Sequence, residues 1–390
     1  MSRIEYLTSE SVTEGHPDKV CDQISDAILD AYLKEDPYSR VAVEALITQN
    51  HLTIAGEVTS HAVVNVEEIA RNVMRDIGYD GFEKGLDYRE AEIAILLHAQ
   101  SPDIARGVQK KKIEEQGAGD QGMMYGYASN ETKEFMPLPI VLAHALARRL
   151  AYVRKKGIVP NLYPDGKSQV VVAYRDGRPE YVRSVLISAQ HSETMKLTEL
   201  KRLITKHVIL STILKRFFIP QTKILVNPTG RFVVGGPEGD TGLTGRKIIV
   251  DTYGGACAHG GGAFSGKDPS KVDRSASYAM RWVAKNLVAA KLCDRVETRV
   301  SYAIGMNKPL SVDVNTYGTG KLPDDKIALI AAKVFDLRPG MIIKNLKLLQ
   351  PIYAKTAAYG HFGRRDLKLP WETVNKVDQL RKFLKRESKR

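Results

Sequence analysis

The stretch Arg40–Thr59, RVAVEALITQNHLTIAGEVT, decides the fold class of this 390-residue chain. Two runs rich in β-branched residues flank a polar pair, which is the pattern of a β-hairpin with a tight turn. Two further hairpins are predicted at Ser168–Ser188, with its turn at Arg175–Arg178, and at Val296–Thr316, with its turn at Gly305–Pro309. The three hairpins start 128 residues apart, so we predict that one structural unit occurs three times.

Two predicted helices and one predicted strand accompany each hairpin. The helices before the hairpins are Lys19–Leu33, Ile140–Val153 and Lys271–Ala290, each with a proline expected in its first turn, namely Pro17, Pro137 and Pro269. The helices after the hairpins are Val64–Gly78, Glu193–Ile213 and Asp324–Phe335, and the strands are Ala91–Ala99, Lys223–Val226 and Met341–Leu348. This order predicts an α+β fold of three similar domains, each a mainly antiparallel sheet with helices on one face, related by pseudo-threefold symmetry.

The predicted domain bounds follow from the triplication. The first α+β repeat is 1–100, the second is 120–232, and the third, with a Gly-rich loop, is 233–373. Residues 101–119 are polar, charged and rich in Lys and Gly, so we predict a mobile lid loop there, with a plain interdomain linker as the alternative. Residues 374–390 form a basic C-terminal tail.

Composition is typical of a soluble globular protein. Hydrophobic residues make up 43%, but no run of 18 apolar residues occurs, so no membrane association is expected. Residues Met1–Tyr6 lack the apolar stretch of a signal peptide. The cysteines Cys21, Cys257 and Cys293 show no CxxC spacing, so neither a disulfide framework nor a zinc site is predicted. A cytoplasmic location is therefore expected.

The formal net charge of +13 favours an anionic partner. A phosphorylated small molecule and a nucleic acid are the two competing classes. Seven basic and two acidic residues fall within Lys376–Arg390, a run that is typical of a solvated helix end. Aromatic residues make up only 7%, and no basic stripe is interleaved with aromatics as base stacking requires. No nucleic-acid partner is therefore expected.

The first candidate site is Glu14–Asp22, EGHPDKVCD. His16 lies just before a predicted helix start, where unpaired backbone N–H groups attract anions, so it can bond a phosphate or a leaving-group oxygen. Asp18 and Asp22 are four residues apart on one helix face. This spacing suits either a Mg²⁺ site or helix capping, and the sequence leaves both interpretations open.

The second candidate site is Gly261–Asp268, GGAFSGKD, which nearly matches the P-loop pattern GxxxxGK[ST]. Asp268 replaces the final hydroxyl residue and no apolar strand leads into the motif, so a P-loop fold is not predicted. Glycine amides with Lys267 and Lys271 nevertheless form a candidate anion cradle, with Asp273 nearby. Asp268 also precedes a proline, as a helix N-cap often does.

Two further clusters are less specific. Gly117–Gly122, GAGDQG, closes the predicted lid and suits either an Asx turn or a ligand-binding turn. Asp240 lies near Arg246 and Lys247 in a Gly-rich segment. Basic residues in such a segment suit triphosphate recognition, and an ordinary surface loop is the alternative.

Glu44 lies within Val41–Ile47, VAVEALI, with apolar neighbours on both strand faces. This pattern predicts that the Glu44 side chain is buried. A buried carboxylate needs a cationic partner, which is either a lysine or arginine elsewhere or a bound metal cation.

Together these motifs resemble the S-adenosylmethionine synthetase (methionine adenosyltransferase) family. The motifs that carry the resemblance are Glu14–Asp18 (EGHPD), Ser101–Val108 (SPDIARGV), Gly117–Gly122 (GAGDQG) and Gly261–Arg274 (GGAFSGKDPSKVDR). The resemblance runs from about Glu5 to Trp371. The family's three similar α+β domains agree with the predicted triplication.

The resemblance implies a role for each matching residue. Catalytic phosphate contacts are expected at His16, Lys167, Arg246, Lys247 and Lys267. Further nucleotide contacts are expected at Asp165, Arg231, Phe232, Asp240 and Ala263. Methionine contacts are expected at Glu57, Gln100, Asp120, Asp240 and Lys271. Asp18 and Asp273 resemble ligands of Mg²⁺, with two ions per site, and Glu44 resembles the K⁺ ligand.

The resemblance also implies ATP and L-methionine as substrates. The methionine sulfur attacks C5′ of ATP, giving S-adenosylmethionine and tripolyphosphate, which is then hydrolysed to diphosphate and phosphate. Family members are homotetramers built as dimers of dimers, with active sites at the dimer interface, so a homo-oligomer is expected. An ordinary phosphotransferase that does not use methionine is the alternative enzyme.

Overall fold

The computed structural model describes residues 4–99 and 112–387. In chain order the strands are β1 Ile4–Val12, β2 Arg40–Thr48, β3 His51–Thr59, β4 Asp80–Gly81, β5 Leu86–Asp87, β6 Glu92–His98, β7 Gly122–Ser129, β8 Leu162–Arg175, β9 Arg178–His191, β10 Lys223–Val226, β11 Gly242–Leu243, β12 Arg295–Tyr302 and β13 Ser311–Asn315. The helices are α1 Pro17–Glu35, α2 Val66–Ile77, α3 Leu138–Lys155, α4 Leu197–Ile204, α5 Ile248–Asp251, α6 Val272–Ala289, α7 Asp324–Val334, α8 Pro339–Asn345 and α9 Val377–Glu387. Helix α4 continues through a π-helical stretch, Thr205–Ile209, and one last turn, Leu210–Thr212. None of the helices in the described ranges is long and apolar enough to cross a membrane.

The three predicted hairpins are confirmed. They are the antiparallel pairs β2–β3, β8–β9 and β12–β13. In the first two turns, Gln49 and Asp176 adopt φ values of +49° and +50°, the left-handed conformation that tight hairpin turns use. The predicted α+β class, with antiparallel sheets and helices, is likewise confirmed.

Each hairpin also pairs with a strand from another repeat. Strand β1 of the first repeat pairs with β8 of the second, and β7 of the second repeat pairs with β12 of the third. Strand β11 of the third repeat closes the cycle by pairing with β2 of the first. This exchange brings the loops of the third repeat against the first hairpin, where the candidate site lies.

The last strand of each predicted repeat is present in only two of the three sheets. Strand β6 pairs parallel with β3, and β10 pairs parallel with β9. These confirm the strands predicted at Ala91–Ala99 and Lys223–Val226. The sheet orders are β11-β2-β3-β6, β1-β8-β9-β10 and β13-β12-β7.

The strand predicted at Met341–Leu348 is wrong, because this stretch forms helix α8. Pro339 begins the helix at a position that favours proline. Ile342, Ile343 and Leu346 are buried and face α6. Their spacing of one and then three residues places them on one side of a helix, whereas alternate residues of a strand would point away.

Helices cover one face of each sheet. Helices α1 and α2 pack on the first sheet, α3 and α4 on the second, and α6 and α7 on the third. One hydrophobic core joins the first and third units, and a second core lies under the second sheet. Helix α6 is enclosed by the first core, and its arginines are paired with carboxylates: Arg274 with Asp26 at 2.6 and 2.8 Å, and Arg281 with Glu372 at 2.9 and 3.0 Å.

The domain bounds at 100, 119, 232 and 373 stay a prediction. Residues 101–111 of the predicted lid lie outside the described residues. The last part of that segment is packed, because Ala118 N–H donates to Met306 O and Gly305 N–H donates to Ala118 O, both at 2.8 Å. These bonds fix the start of β7 against the loop after β12.

The basic tail is docked on the protein through helix α9. Leu380 is fully buried, and Val377 and Phe383 are partly buried against the larger core. A spacing of three residues places the three side chains on one helix face. The interpretation as a solvated helix end therefore holds for only one side of the helix.

We expect His144 of α3 to make stability depend on pH. Its Nδ1 lies 2.8 Å from Ser11 Oγ, and burial, followed by the charges of Arg148 and Arg364, lowers the pKa of His144 from 6.5 to about 3. The unfolded chain binds a proton at this ring below pH 6.5, whereas the native chain does not. The contribution of neutral His144 is thus complete above pH 6.5 and is lost as the pH falls toward 3.

Between about pH 7.5 and pH 5, this one group should lower the free energy of unfolding by about 2 kcal/mol. His144→Gln should therefore weaken the pH dependence of the thermal midpoint. His61→Gln, at an exposed position, is the matched control and should leave that dependence as in the parent. The same pH dependence in the parent and in His144→Gln would contradict the prediction.

Candidate active site

The start of helix α1 presents His16 as a neutral hydrogen-bond donor. His16 is the N-cap residue, and its Nδ1 accepts the Asp18 backbone N–H at 3.2 Å. Burial, followed by the charges of Lys247 and Lys167, lowers the pKa of His16 to about 3. Because Nδ1 accepts, the proton of the neutral ring lies on Nε2, which can bond an oxygen that carries or gains negative charge.

Asp18 joins this turn to the basic loop after β11. Its carboxylate is paired with Lys247 Nζ, accepts the Leu243 backbone N–H at 2.9 Å, and lies 3.8 Å from Arg246. Burial raises the pKa of Asp18, but the hydrogen bonds from Lys247 and Leu243 outweigh it and hold the pKa below its ordinary value. An ionised carboxylate with two flanking cations is the result.

Four aspartates on one face of α1 hold loops from the third repeat. The aspartates, four residues apart, are Asp18, Asp22, Asp26 and Asp30. They accept backbone N–H groups from Leu243, Gly245, Gly266 and Tyr353, in that order, at 2.9, 2.8, 2.9 and 3.0 Å. Neither member of the Asp18 and Asp22 pair is the N-cap of α1, so capping is not their role, and both instead orient distant loops.

The segment Gly266–Asp268 lies along β2 like a short additional strand. Val43 N–H donates to Gly266 O at 3.1 Å, and Asp268 N–H donates to Val41 O at 2.9 Å. Gly266 has a φ of +79°, and a Cβ there would be 1.9 Å from Val43 O. Glycine is required at this position both by the backbone conformation and by the close approach.

Lys267 and Lys271 extend from this segment toward carboxylates. Lys267 Nζ lies 2.7 Å from Asp273 Oδ2, and Lys271 Nζ lies 2.5 Å from Asp268 Oδ2. Asp273 is on the first turn of α6, so the helix start fixes the position of the Lys267 ammonium. The predicted anion cradle thus has its cations held by neighbouring carboxylates.

Asp268 is not the N-cap of α6, contrary to the prediction. That position belongs to Lys271, so Pro269 also precedes the helix instead of lying in its first turn. The buried Asp268 carboxylate accepts the Val41 backbone N–H at 2.8 Å. Burial raises its pKa, but the charges of Lys271 and Arg40 lower it further, to about 2. Asp268 therefore ties the segment to β2.

These contacts define two groups of charged side chains. The helix-start group comprises His16, Asp18, Lys167, Arg246 and Lys247. The glycine-segment group comprises Lys267, Lys271 and Asp273. Across the part of the chain that the structure describes, no hydrogen bond or ion pair joins side chains of the two groups directly. Their loops meet where a Cβ on Gly245 would be 2.5 Å from Ala263 Cβ.

Comparison with known proteins identifies the family. Models described as the N-terminal, central and C-terminal domains of S-adenosylmethionine synthetase match residues 5–102, 115–232 and 234–373. This chain belongs to the S-adenosylmethionine synthetase family. The resemblance inferred from the four motifs is therefore confirmed.

Close relatives of this synthetase chain carry the name S-adenosylmethionine synthase. The relative from Clostridium botulinum (strain Alaska E43 / Type E3) is 53% identical over 97% of this chain and 99% of its own length. Those from Nocardia farcinica (strain IFM 10152) and Sulfurovum sp. (strain NBC37-1) are 55% and 56% identical, over 96% and 97% of this chain and 97% and 99% of their own lengths. The similarity thus extends over nearly the whole chain.

Three of the predicted nucleotide-binding residues, Asp165, Arg231 and Phe232, lie around the loop after β10. The Asp165 carboxylate is buried and accepts the Gly236 backbone N–H at 3.0 Å, and burial raises the pKa of Asp165 to about 6. The Phe232 ring packs closely on Gly235, where a Cβ would be 2.6 Å from the ring. Arg231 is exposed. Their roles at the nucleotide stay predictions.

The residues predicted to bind methionine lie on several segments, and of these only Lys271 belongs to one of the two groups. Glu57 is half-buried on β3, and Asp120 and Asp240 are exposed. A Cβ on Gly119 would be 2.8 Å from Ser270 O, so Asp120 begins beside the segment that carries Lys271. Gln100 lies outside the described residues. The methionine-binding roles also stay predictions.

The burial predicted for Glu44 is wrong. Strand β2 places Val41, Val43, Ala45 and Ile47 in the core and turns Glu44 to the outer face, where it is exposed. In register, Glu44 lies beside Ala55 of β3, which lies beside Leu96 of β6. Leu96 is 63% exposed and Leu46 is 40% exposed. The prediction failed because the apolar neighbours of Glu44 on the outer face are themselves exposed.

Two buried cations next to the site, each paired with carboxylates, were not predicted from the sequence. Lys19 is bonded to Asp22 and Asp251, and Arg274 is bonded to Asp26. The available signal was a lysine three residues before an aspartate on a helix with apolar residues on the same side. Such a pair is common on exposed helices, so the signal carries weight only once burial is known.

Proposed function

We propose that this chain is a methionine adenosyltransferase that forms S-adenosylmethionine from ATP and L-methionine. The observation that carries the proposal is the 53–56% identity, over nearly the full chain, to relatives named S-adenosylmethionine synthase. The two groups of cations and carboxylates support it, because the leaving group of this reaction is a polyanion.

The reaction needs charge stabilisation more than proton transfer. A thioether sulfur is already nucleophilic, so no base has to deprotonate it. It attacks C5′ in line and displaces tripolyphosphate, so positive charge grows on sulfur and negative charge on the leaving oxygen. Preorganised cations around the polyphosphate therefore lower the barrier most effectively.

We assign the helix-start group to the leaving oxygen and the phosphates. Neutral His16 offers its Nε2 proton to the oxygen that leaves C5′. Arg246, Lys247 and Lys167 supply positive charge beside it. Burial first, and then the charges of Lys247 and Lys167, lower the pKa of His16. The same cations can polarise tripolyphosphate for its hydrolysis to diphosphate and phosphate.

We assign the carboxylates Glu57, Asp120 and Asp240 to methionine. Each is at least partly exposed, as a group that binds an ammonium or the forming sulfonium must be. We assign Lys271 of the glycine-segment group to the substrate carboxylate. Asp165, Phe232 and Ala263 are assigned to the adenosine part of ATP.

We assign Asp18 and Asp273 to the divalent ions. Among the described residues, no group of three or more His, Cys, Asp and Glu can hold a metal ion. Mg²⁺ suits a site with a single protein carboxylate, because it commonly binds through one or two carboxylates together with substrate phosphates. Asp18 is now paired with Lys247 and Asp273 with Lys267, so each carboxylate already attracts a cation. When bound, Mg²⁺ neutralises phosphate charge and orients the leaving group.

We further propose a tetramer, built as a dimer of dimers, in which a second copy covers the outer face of the first sheet. That face exposes the apolar side chains of Leu46 and Leu96, and exposed apolar side chains are common at interaction surfaces. Lys267, Ala42 and Glu57 share one row of it. Covering this row would place the glycine-segment group at the interface and complete the site from two chains.

The K⁺ assignment depends on the same interface. A lone exposed carboxylate such as Glu44 cannot hold K⁺ in water, but the same carboxylate covered by a second copy would need a compensating cation. Activity should therefore rise when K⁺ replaces a bulky organic cation, and Glu44→Gln should reduce that rise. Glu92→Gln, an exposed acid on β6 of the same sheet, is the control and should respond as the parent does. An enzyme equally active in both salts would contradict the assignment.

The activity is tested by incubating the protein with ATP, L-methionine, Mg²⁺ and K⁺ and analysing the products by mass. We expect S-adenosylmethionine, with diphosphate and phosphate in equal amounts. Product formation should require methionine. Formation of ADP without any sulfonium product would instead identify an ordinary phosphotransferase.

A further inference from the structure

We infer that Lys19 is a positioning residue for the synthetase reaction. It holds both ends of the segment Gly245–Asp251, on which Arg246 and Lys247 stand beside Asp18. The inference rests on the proposed function, because these two cations are the ones assigned to the triphosphate.

Lys19 is a charged side chain without access to solvent. Its exposure is 0%, and its Nζ donates to Asp22 Oδ2 at 2.8 Å and to Asp251 Oδ1. The ammonium is therefore shared between a carboxylate of α1 and one of α5.

The two carboxylates reach opposite ends of the basic segment. Asp22 Oδ1 accepts the backbone N–H of Gly245, immediately before Arg246, at 2.8 Å. Asp251 N–H donates to the carbonyl of Lys247 at 2.9 Å. One buried cation thus fixes the residue before Arg246 and the helical turn after Lys247. The backbone that carries Arg246 and Lys247 is therefore held on both sides.

Asp251, at the end of the segment, is also bonded on the side away from α1. His361 N–H donates to Asp251 O at 3.0 Å, and His361 Nδ1 lies 2.7 Å from Tyr278 Oη of helix α6. All three residues are buried. The segment is therefore held between two helices, α1 and α6, and on the α1 side the Lys19 ammonium acts together with the direct bonds from Asp18 and Asp22.

A purely structural role is the alternative, because loss of Lys19 leaves two buried carboxylates without their cation. The two roles differ in what they do to a folded enzyme. If Lys19 has only a structural role, its replacement changes the thermal midpoint and leaves the kinetics of the folded enzyme unchanged. If Lys19 is a positioning residue, its replacement lowers kcat/KM for ATP and leaves KM for methionine unchanged, because the residues assigned to methionine lie on other segments.

The test begins with Lys19→Met, which keeps the length of the side chain and removes its charge. We expect kcat/KM for ATP to fall about 10²-fold, the size of one lost electrostatic contact, with KM for methionine unchanged. Lys285→Met is the matched control: Lys285 is 9% exposed and lies 2.6 Å from Glu372. It is twelve residues beyond Asp273 on α6, about 18 Å along the helix, so it should lower the thermal midpoint and leave kcat/KM for ATP unchanged.

A second variant, Lys19→Met with Asp251→Asn, covers the case in which Lys19→Met does not fold. It removes one of the two uncompensated charges, so the thermal midpoint should recover while the defect with ATP persists. Adding Lys247→Met to this double variant should lower kcat/KM for ATP little further. The loss of Lys19 and the loss of Lys247 both act through the Lys247 cation, so their effects should not add. Normal kcat/KM for ATP in either folded variant, or fully additive losses, would overturn the inference. A parent enzyme that makes no S-adenosylmethionine would instead refute the proposed function.

Discussion

Lys267→Met should lower the rate of S-adenosylmethionine formation by about 10²–10³-fold, the usual cost of one lost preorganised cation. The Lys267 ammonium is fixed by Asp273 at 2.7 Å, and its backbone is fixed along β2. A cation held in this way needs no reorganisation when charge develops on the leaving group. Removing it leaves part of the triphosphate charge uncompensated in the transition state.

The measurement is steady-state formation of S-adenosylmethionine by a variant whose thermal midpoint matches that of the parent. Lys326→Met is the control, since Lys326 is exposed on α7, and it should keep the parent rate. A folded Lys267→Met variant with an unchanged rate would remove Lys267 from the phosphate contacts while leaving the helix-start group in place.

Gly266→Ala should lower the stability of the protein strongly. Its φ of +79° is strained for alanine, and the new methyl group would meet Val43 O at 1.9 Å and Ser25 Cβ at 3.1 Å. Backbone strain and overpacking together should cost about 2–5 kcal/mol. Activity should fall as well, because any shift of the segment from β2 moves Lys267.

Gly261→Ala separates the two causes. Gly261 has a φ of +93° in the same Gly-rich region, but no atom lies within 4 Å of a Cβ placed there. The Gly261→Ala variant should lose only the free energy of unfolding that the backbone strain costs, about 1 kcal/mol. Thermal midpoints that fall equally in the two variants would show that the contact with Val43 does not determine the loss.

Local sequence patterns predicted the fold well where they are tied to backbone geometry. The hairpin at Arg40–Thr59 was predictable because β-branched runs and a tight turn leave few other structures. The helix at Pro339–Asn345 was mistaken for a strand because a short apolar run with adjacent isoleucines suits either structure. The pairing of β1, β7 and β11 with other repeats was not predictable, because sequence spacing does not say which edge a strand joins.

In the candidate site too, features set by local sequence were predictable and features set by long-range contacts were not. His16 and Asp18 were predictable from a helix start with a charged turn, because that geometry is local. Glu44 was misjudged because apolar residues on both strand faces do not reveal which face is covered. Lys19 was missed because its partners, Asp22 and Asp251, include one 232 residues away, and only the folded chain brings them together.

The central claim is that sulfur attacks C5′ and that the C5′ oxygen leaves with the phosphates. The most direct test uses ATP labelled with ¹⁸O at the oxygen between C5′ and the α-phosphorus, incubated with the enzyme, methionine, Mg²⁺ and K⁺. The account predicts that S-adenosylmethionine is unlabelled and that all of the ¹⁸O appears in the diphosphate and phosphate derived from tripolyphosphate. Label that remains with the adenosine-containing product would mean that a phosphorus–oxygen bond is broken instead, and would contradict the account.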